Sequence, residues 1–272
     1  MPVTIKTQHE IDLMRIAGHK LEQVHNELKS IIRPGISTKE IDEYGDDLIR
    51  KLGGVPNFLN YSGYPASICV SVNDEVVHGI PDRHRILKEG DIVSLDAGLI
   101  WKGYHSDAAR TWIVGETAPE VRQLVDDTKM SFFEGLRYAR AGRHLYEISA
   151  AIGAFAESRG YGVVESLCGH GIGTHLHEAP QIPNFRQKGR GMLLRPGMTL
   201  AIEPMINLGT KQVEWMSDGW TVWTCDRKPS AHYENTVLIT EGDPELLTCT
   251  GAEENELIRT MFHKEEHENV EI

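Results

Sequence analysis

Apolar residues recur at intervals of three and four through Ile11, Met14, Ala17, Leu21, Val24, Leu28 and Ile31, which aligns them on one face of a helix. Thr7-x-x-Glu10 reads as the capping box that starts this helix, and Pro34-Gly35 marks its end. Ser37-x-x-Glu40 opens a second helix through Ile41, Tyr44 and Leu48, closed by Gly53-Gly54. Strand patterns follow over 68–72, 91–95 and about 104–114, where β-branched and aromatic residues stand near Gly or Asp turns. Helical spacing then resumes. Pro119 stands in the first turn, Val121, Leu124, Val125, Phe132 and Leu136 form the apolar stripe, and Gly142 terminates it. A fourth helix is expected over about 145–159, stopped by Gly160.

The second half therefore restarts the first, and the restart has a register. At a constant separation of 107, Arg33 matches Arg140, Gly35 matches Gly142, Glu40 matches Glu147 and Gly53 matches Gly160. Further on, Leu87 meets Leu194, Gly90 meets Gly197 and, by charge, Asp96 meets Glu203. An ungapped offset held this far points to internal duplication. After an insertion of about 20 residues in the second half, Asp107 aligns with Glu234, each ahead of a β-rich run. The expected class is α+β, with two pseudo-symmetric ααβββ halves over about 8–114 and 115–250 whose antiparallel sheet is covered by helices. Together they make one domain over 1–250, followed by an acidic extension, 251–272.

Composition narrows the partners. The 272 residues carry 28 basic against 40 acidic side chains, a net charge of −12, and no basic patch interrupts it, so nucleic-acid binding is not expected. The start has no apolar signal region and there is no run of about 18 apolar residues, so the expectation is a cytoplasmic protein with no membrane span. The 4 cysteines include no C-x-x-C pair, which fits reduced thiols and argues against a zinc knuckle.

Asp96 ends the strand-like Asp91-Ile92-Val93-Ser94-Leu95, and Asp107 returns past Lys102-Gly103, so one hairpin can carry both carboxylates on one face. Glu203 ends the apolar run 198–202, and Glu234 is the fourth acid of the repeat. Four carboxylates in one place would repel and protonate unless cations compensated them, and two divalent ions supply the matching charge. The stretch Cys168-Gly169-His170-Gly171-Ile172-Gly173-Thr174-His175-Leu176-His177-Glu178 holds too much glycine for a helix, so His170 and His177 sit on a strand or loop where backbones approach closely. An imidazole joined to carboxylates is a mixed N/O donor set, suited to Mn, Fe, Co or Zn. The H-E-x-x-H, G-x-S-x-G and P-loop motifs are all missing, which removes single-zinc peptidase, α/β-hydrolase and nucleotide-phosphate readings.

The order Asp96, Asp107, His170, Glu203, Glu234 resembles the ligand set of the pita-bread metallo-aminopeptidases. The segments 73–81 (with His78), Gly169-His170-Gly171-Ile172-Gly173 and Ala201-Ile202-Glu203-Pro204 resemble the type I methionine aminopeptidases in particular, over about residues 4–250. The resemblance implies the pita-bread fold of the creatinase and methionine aminopeptidase group. It also implies removal of the initiator methionine from nascent proteins and peptides when the second residue is small. By resemblance, Asp96 holds one of two divalent ions, His170 and Glu203 hold the other, and Asp107 and Glu234 bridge them. The resemblance further implies a metal-activated water as the nucleophile, with Glu203 shuttling its proton, His177 stabilising the oxyanion and His78 contacting the substrate backbone. The resemblance also implies a specificity pocket lined by Phe58, Tyr61, Tyr64, Cys69, Leu176 and Trp220, whose aromatic and sulfur walls suit a thioether. The implied partners are peptide and nascent-chain N-termini, with ribosome association and a monomeric state.

The chain also departs from relatives. It has Phe58 where some carry a small Cys, Leu176 where some carry an aromatic, and Gly98 where some carry a Thr. It lacks the amino-terminal extensions of eukaryotic cytosolic relatives and of prolidases, which points to a bacterial-type enzyme. The acid-rich tail from Gly251 on is expected to be a short solvated helix with a frayed end. Two other readings stand at this point, an X-Pro peptidase and a metal-free binding module on the same scaffold.

Overall fold

The computed structural model of the chain describes residues 3–249 and 251–263. Helices α1 (Gln8–Ile31) and α2 (Thr38–Lys51) begin on the two capping boxes: Thr7 and Ser37 accept from the N–H three residues on, and Glu10 and Glu40 return to the cap's own N–H. Strands β1 (Val55–Pro56), β2 (Ile68–Val72), β3 (Glu75–Val77), β4 (Ile92–Trp101) and β5 (Tyr104–Ile113) complete the first half. The second holds α3 (Pro119–Leu136) and α4 (Leu145–Glu157), then β6 (Gly162–Val163), β7 (Gly169–Gly171), β8 (Glu178–Ile182), β9 (Thr199–Ile202) and β10 (Met205–Asn207). It ends with β11 (Val213–Trp215), β12 (Val222–Thr224), β13 (Ser230–His232), β14 (Asn235–Leu238), β15 (Glu245–Leu246) and α5 (Ala252–His263).

The paired strands run antiparallel, and the helices cover them with two matching cores. Leu21, Leu28 and Ile41 pack on Ile68, Val93 and Leu99 in the first half, and Phe132, Ile148 and Ile152 pack on Leu200, Ile202 and Val237 in the second. The repeat is visible at the turns. Gly35 and Gly142 both have positive φ, 91° and 81°, as do Gly90 and Gly197, 89° and 86°, a backbone region that favours glycine.

Strand register refines the repeat. Ile92 faces Ile113 as Thr199 faces Leu238, and Gly98 faces Asp107 as Met205 faces His232. The counterpart of Asp107 is therefore His232, and Glu234 stands where the first half has Ala109. This corrects the Asp107-to-Glu234 alignment, which matched like charges, whereas the ladder is fixed by backbone pairing. The long β4 of the first half also becomes two strands in the second, because Pro204 between β9 and β10 has no N–H to give the ladder. The inserted segment folds as the β11–β12 hairpin, and β12 pairs with β3.

The tail is less solvated than expected. Helix α5 buries Met261 and Phe262 in the second core, and Glu254 accepts a hydrogen bond of 2.6 Å from the Tyr233 hydroxyl. Leu257, Ile258, Met261 and Phe262 recur with helical spacing and face the core together with Glu254, while Glu256 and Arg259 lie on the exposed side. The remainder of the expected tail, 264–272, lies outside the described residues. Among the described residues no helix is long and apolar enough to cross a membrane.

Candidate metal centre

Two neighbouring strands of each half carry acids to one place. Asp96 on β4 lies opposite Ala109, and Asp107 on β5 lies opposite Gly98, so the two carboxylates are diagonal neighbours on one face. Glu203 follows β9 and Glu234 precedes β14, where Ile202 pairs with Asn235. The halves are joined at the same spot. Glu234 donates its N–H to the Ala109 carbonyl at 2.9 Å, and the Arg110 guanidinium donates to the Glu234 carbonyl and, at 2.7 Å, to Asn235 Oδ1. Asn184 donates to the Glu203 carbonyl at 3.0 Å.

His170 enters from β7, between β8 and β9. Its neighbours must be glycine: a Cβ on Gly169 would stand 2.4 Å from the Ala201 carbonyl oxygen, and one on Gly171 would stand 2.2 Å from that of Ala179. His170 Nδ1 lies 2.9 Å from the Gly171 carbonyl oxygen, so it donates there and turns the Nε2 lone pair toward the acids. Nε2 is 3.6 Å from Glu203 Oε1 and 3.8 Å from Asp107 Oδ2.

All thirteen candidate residues line one cavity of about 190 Å³. The five candidate ligands line it together with His78 and His177, and the His170 and His177 rings meet edge to face with centroids 4.3 Å apart. Phe58, Tyr61, Tyr64, Cys69, Leu176 and Trp220 enclose the rest. Tyr64 and Trp220 meet edge to face with centroids 5.2 Å apart, and the Tyr61 hydroxyl is 2.7 Å from His177 Nδ1. His78 holds a φ of 59°, uncommon for a residue with a side chain and a mark of a position fixed by its surroundings. Val77, Leu167, Cys168 and Met205 complete the lining and were not singled out from the sequence.

The electrostatics show what the cluster lacks. Burial raises Asp96 to about 7 and Glu203 to about 8, and burial together with the neighbouring acids holds Asp107 and Glu234 well above the carboxylate range. Burial lowers His170 to about 3 and His78 to about 4, so these rings are neutral donors at pH 7. Asp96 Oδ1, Asp107 Oδ1 and Glu234 Oε1 are buried without a hydrogen-bond partner. Unsatisfied buried oxygens of several acids around one neutral imidazole nitrogen fit a divalent cation site, which would supply both the charge and the missing partners. One further residue shares the site and went unrecognised in the sequence. His232 is buried with both ring nitrogens unpartnered, and its Nε2 is 3.7 Å from Glu203 Oε2 and 4.0 Å from Glu234 Oε2. Its signal was the spacing of two from Glu234, which puts both on one face of an extended segment.

The family model for metallopeptidase family M24 matches residues 12–241, and that span contains every residue of the cluster. The chain belongs to metallopeptidase family M24. Within the family its likeness is to methionine aminopeptidases. That of Clostridium acetobutylicum is 48% identical over 246 residues, covering 90% of this chain and 98% of the relative. The crystal structure of methionine aminopeptidase from Thermotoga maritima superposes with a TM-score of 0.89 at 42% identity, covering 91% of this chain and 99% of the other. An Xaa-Pro dipeptidase from Bacillus anthracis shares the fold at a TM-score of 0.73 and 25% identity, and only 62% of its length is matched. The M24 chain is thus a hydrolase with the pita-bread fold, as the sequence implied.

Proposed function

We propose that this M24 enzyme removes N-terminal methionine from peptides and nascent proteins whose second residue is small, using two divalent cations held by Asp96, Asp107, His170, Glu203 and Glu234. The observation that carries this reading is the joining, in one cavity, of that N/O donor set to an aromatic and sulfur-bearing wall. The donor types suit Mn, Fe, Co or Zn. Held by these five side chains, the cations would neutralise the acids, favour a free α-amine over a blocked one and supply the Lewis acidity that makes water a nucleophile at neutral pH.

The chain's own residues do the rest. The methionine side chain lies against Phe58, Tyr61, Tyr64, Cys69, Leu176 and Trp220, where a polarizable thioether gains contact with ring edges. A neutral His177, with Tyr61 on its Nδ1, presents Nε2–H to the scissile carbonyl and to the charge that develops there. His78 contacts the substrate backbone beyond the bond, and Glu203 takes the proton of the attacking water and returns it to the leaving amine. In this reading 1–250 is the catalytic unit with halves 8–114 and 115–250. The enzyme works as a monomer in the cytoplasm and meets nascent chains at the ribosome.

The test is hydrolysis of Met-Ala-Ser by the purified chain with Mn²⁺ or Co²⁺, beside acetyl-Met-Ala-Ser and a series with other first residues. Cleavage of the free methionyl peptide alone is expected. Cleavage of the acetylated peptide overturns recognition of the amine, and equal cleavage of many first residues ahead of Pro favours an X-Pro peptidase.

A further inference from the structure

We propose that His232 is a sixth protein donor of the metal centre, its Nε2 binding the ion that Glu203 and Glu234 also hold. The inference rests on the proposed donor set and extends it by one residue.

Three observations lead to it. First, the pseudo-symmetry puts His232 at the second-half position of Asp107, and the match extends to how each is held. The Asp107 N–H donates to Thr236 Oγ1 at 3.0 Å and the Thr236 hydroxyl donates to the Asp107 carbonyl at 2.9 Å. The His232 N–H donates to Thr111 Oγ1 at 2.9 Å and the Thr111 hydroxyl donates to the His232 carbonyl at 2.9 Å. Each half thus clamps the other's site-facing residue with a threonine, and the residue clamped is a candidate ligand in one half and His232 in the other.

Second, the spacing is that of donors sharing an ion. Nε2 to Glu203 Oε2 at 3.7 Å and to Glu234 Oε2 at 4.0 Å are too long for hydrogen bonds. Two donors about 2.1 Å from one ion stand about 3.0 to 4.2 Å apart, depending on the angle between them. His170 has the same relation to the other Glu203 oxygen and to Asp107, at 3.6 and 3.8 Å. The two imidazoles flank Glu203, one at each oxygen.

Third, the ring is otherwise unexplained. His232 is 1% exposed, and neither of its nitrogens has a hydrogen-bond partner. Leaving a buried polar group unpaired is unfavourable. An ion on Nε2 gives the ring its partner.

The test is long-range ¹H–¹⁵N NMR of the full chain with ¹⁵N-labelled histidine, titrated with Zn²⁺, with zinc affinity measured by calorimetry. Two imidazoles are expected to shift to zinc-bound positions, one lost in His170→Gln and the other in His232→Gln. Zinc affinity should fall at least about 10-fold in His232→Gln. If that variant fails to fold, His232→Asn serves, and the wild-type count stands by itself. A single zinc-bound imidazole that survives His232→Gln and vanishes in His170→Gln overturns the proposal while leaving the five-ligand set intact. A second one that survives both variants belongs to another histidine and also overturns it. If no imidazole shifts, the ligand set itself is wrong.

Discussion

The Tyr61 hydroxyl lies 2.7 Å from Nδ1 of His177. Burial raises the phenol above its ordinary pKa and lowers the imidazole below its own, so at neutral pH both are uncharged and the phenol can donate. A ring that accepts at Nδ1 carries its proton on Nε2, the atom left to face a substrate carbonyl. Tyr61→Phe keeps the ring in the pocket wall and removes this constraint. One net hydrogen bond is worth about 1 kcal/mol, so kcat on Met-Ala-Ser should fall about fivefold with KM little changed. An unaltered kcat would show that Tyr61 serves only as wall.

The acids make stability depend on pH in a direction that reveals the cations. Asp96 at about 7 and Glu203 at about 8 titrate above their unfolded values, so without metal the folded state binds more protons. Their contribution is complete below the ordinary carboxylate range and disappears as pH rises through the folded values. In chelator, the melting temperature should therefore drop by more than about 4 °C between about pH 5.5 and about pH 8.5, and saturating Mn²⁺ should remove the drop. Identical profiles with and without Mn²⁺ would contradict cation binding by these acids.

Gly98 follows from its neighbour. A Cβ there would stand 2.4 Å from Asn57 Nδ2 and 2.8 Å from Asn57 Cβ, and Asn57 is held by donating to the Ser106 carbonyl at 3.0 Å. Gly98→Ala should cost about 1–3 kcal/mol in urea denaturation, and adding Asn57→Gly should recover part of it. If Gly98→Ala alone is neutral, the space is larger than it appears.

Much of this was legible in the chain because the signals were local. The capping boxes fixed the starts of α1 and α2, and the strand before Asp96 followed from its own side chains. The Gly-His-Gly run was readable as a close backbone approach, though not which carbonyls it approached. Long-range register was harder. Matching by charge set Asp107 against Glu234, and only the ladder shows that His232 is the counterpart. The hydrogen bond from Tyr61 to His177 spans distant segments and has no signature in either. The docking of α5 was hidden because its acids dominate composition while Met261 and Phe262 do the packing.

Removing Asp107 tests the shared cation site most directly. The purified Asp107→Ala variant would be measured for bound metal and for Met-Ala-Ser turnover in the same preparation. A shared site predicts that both collapse together, with fewer than two ions retained and turnover reduced at least about 100-fold. A folded variant that keeps two tightly bound ions would contradict it.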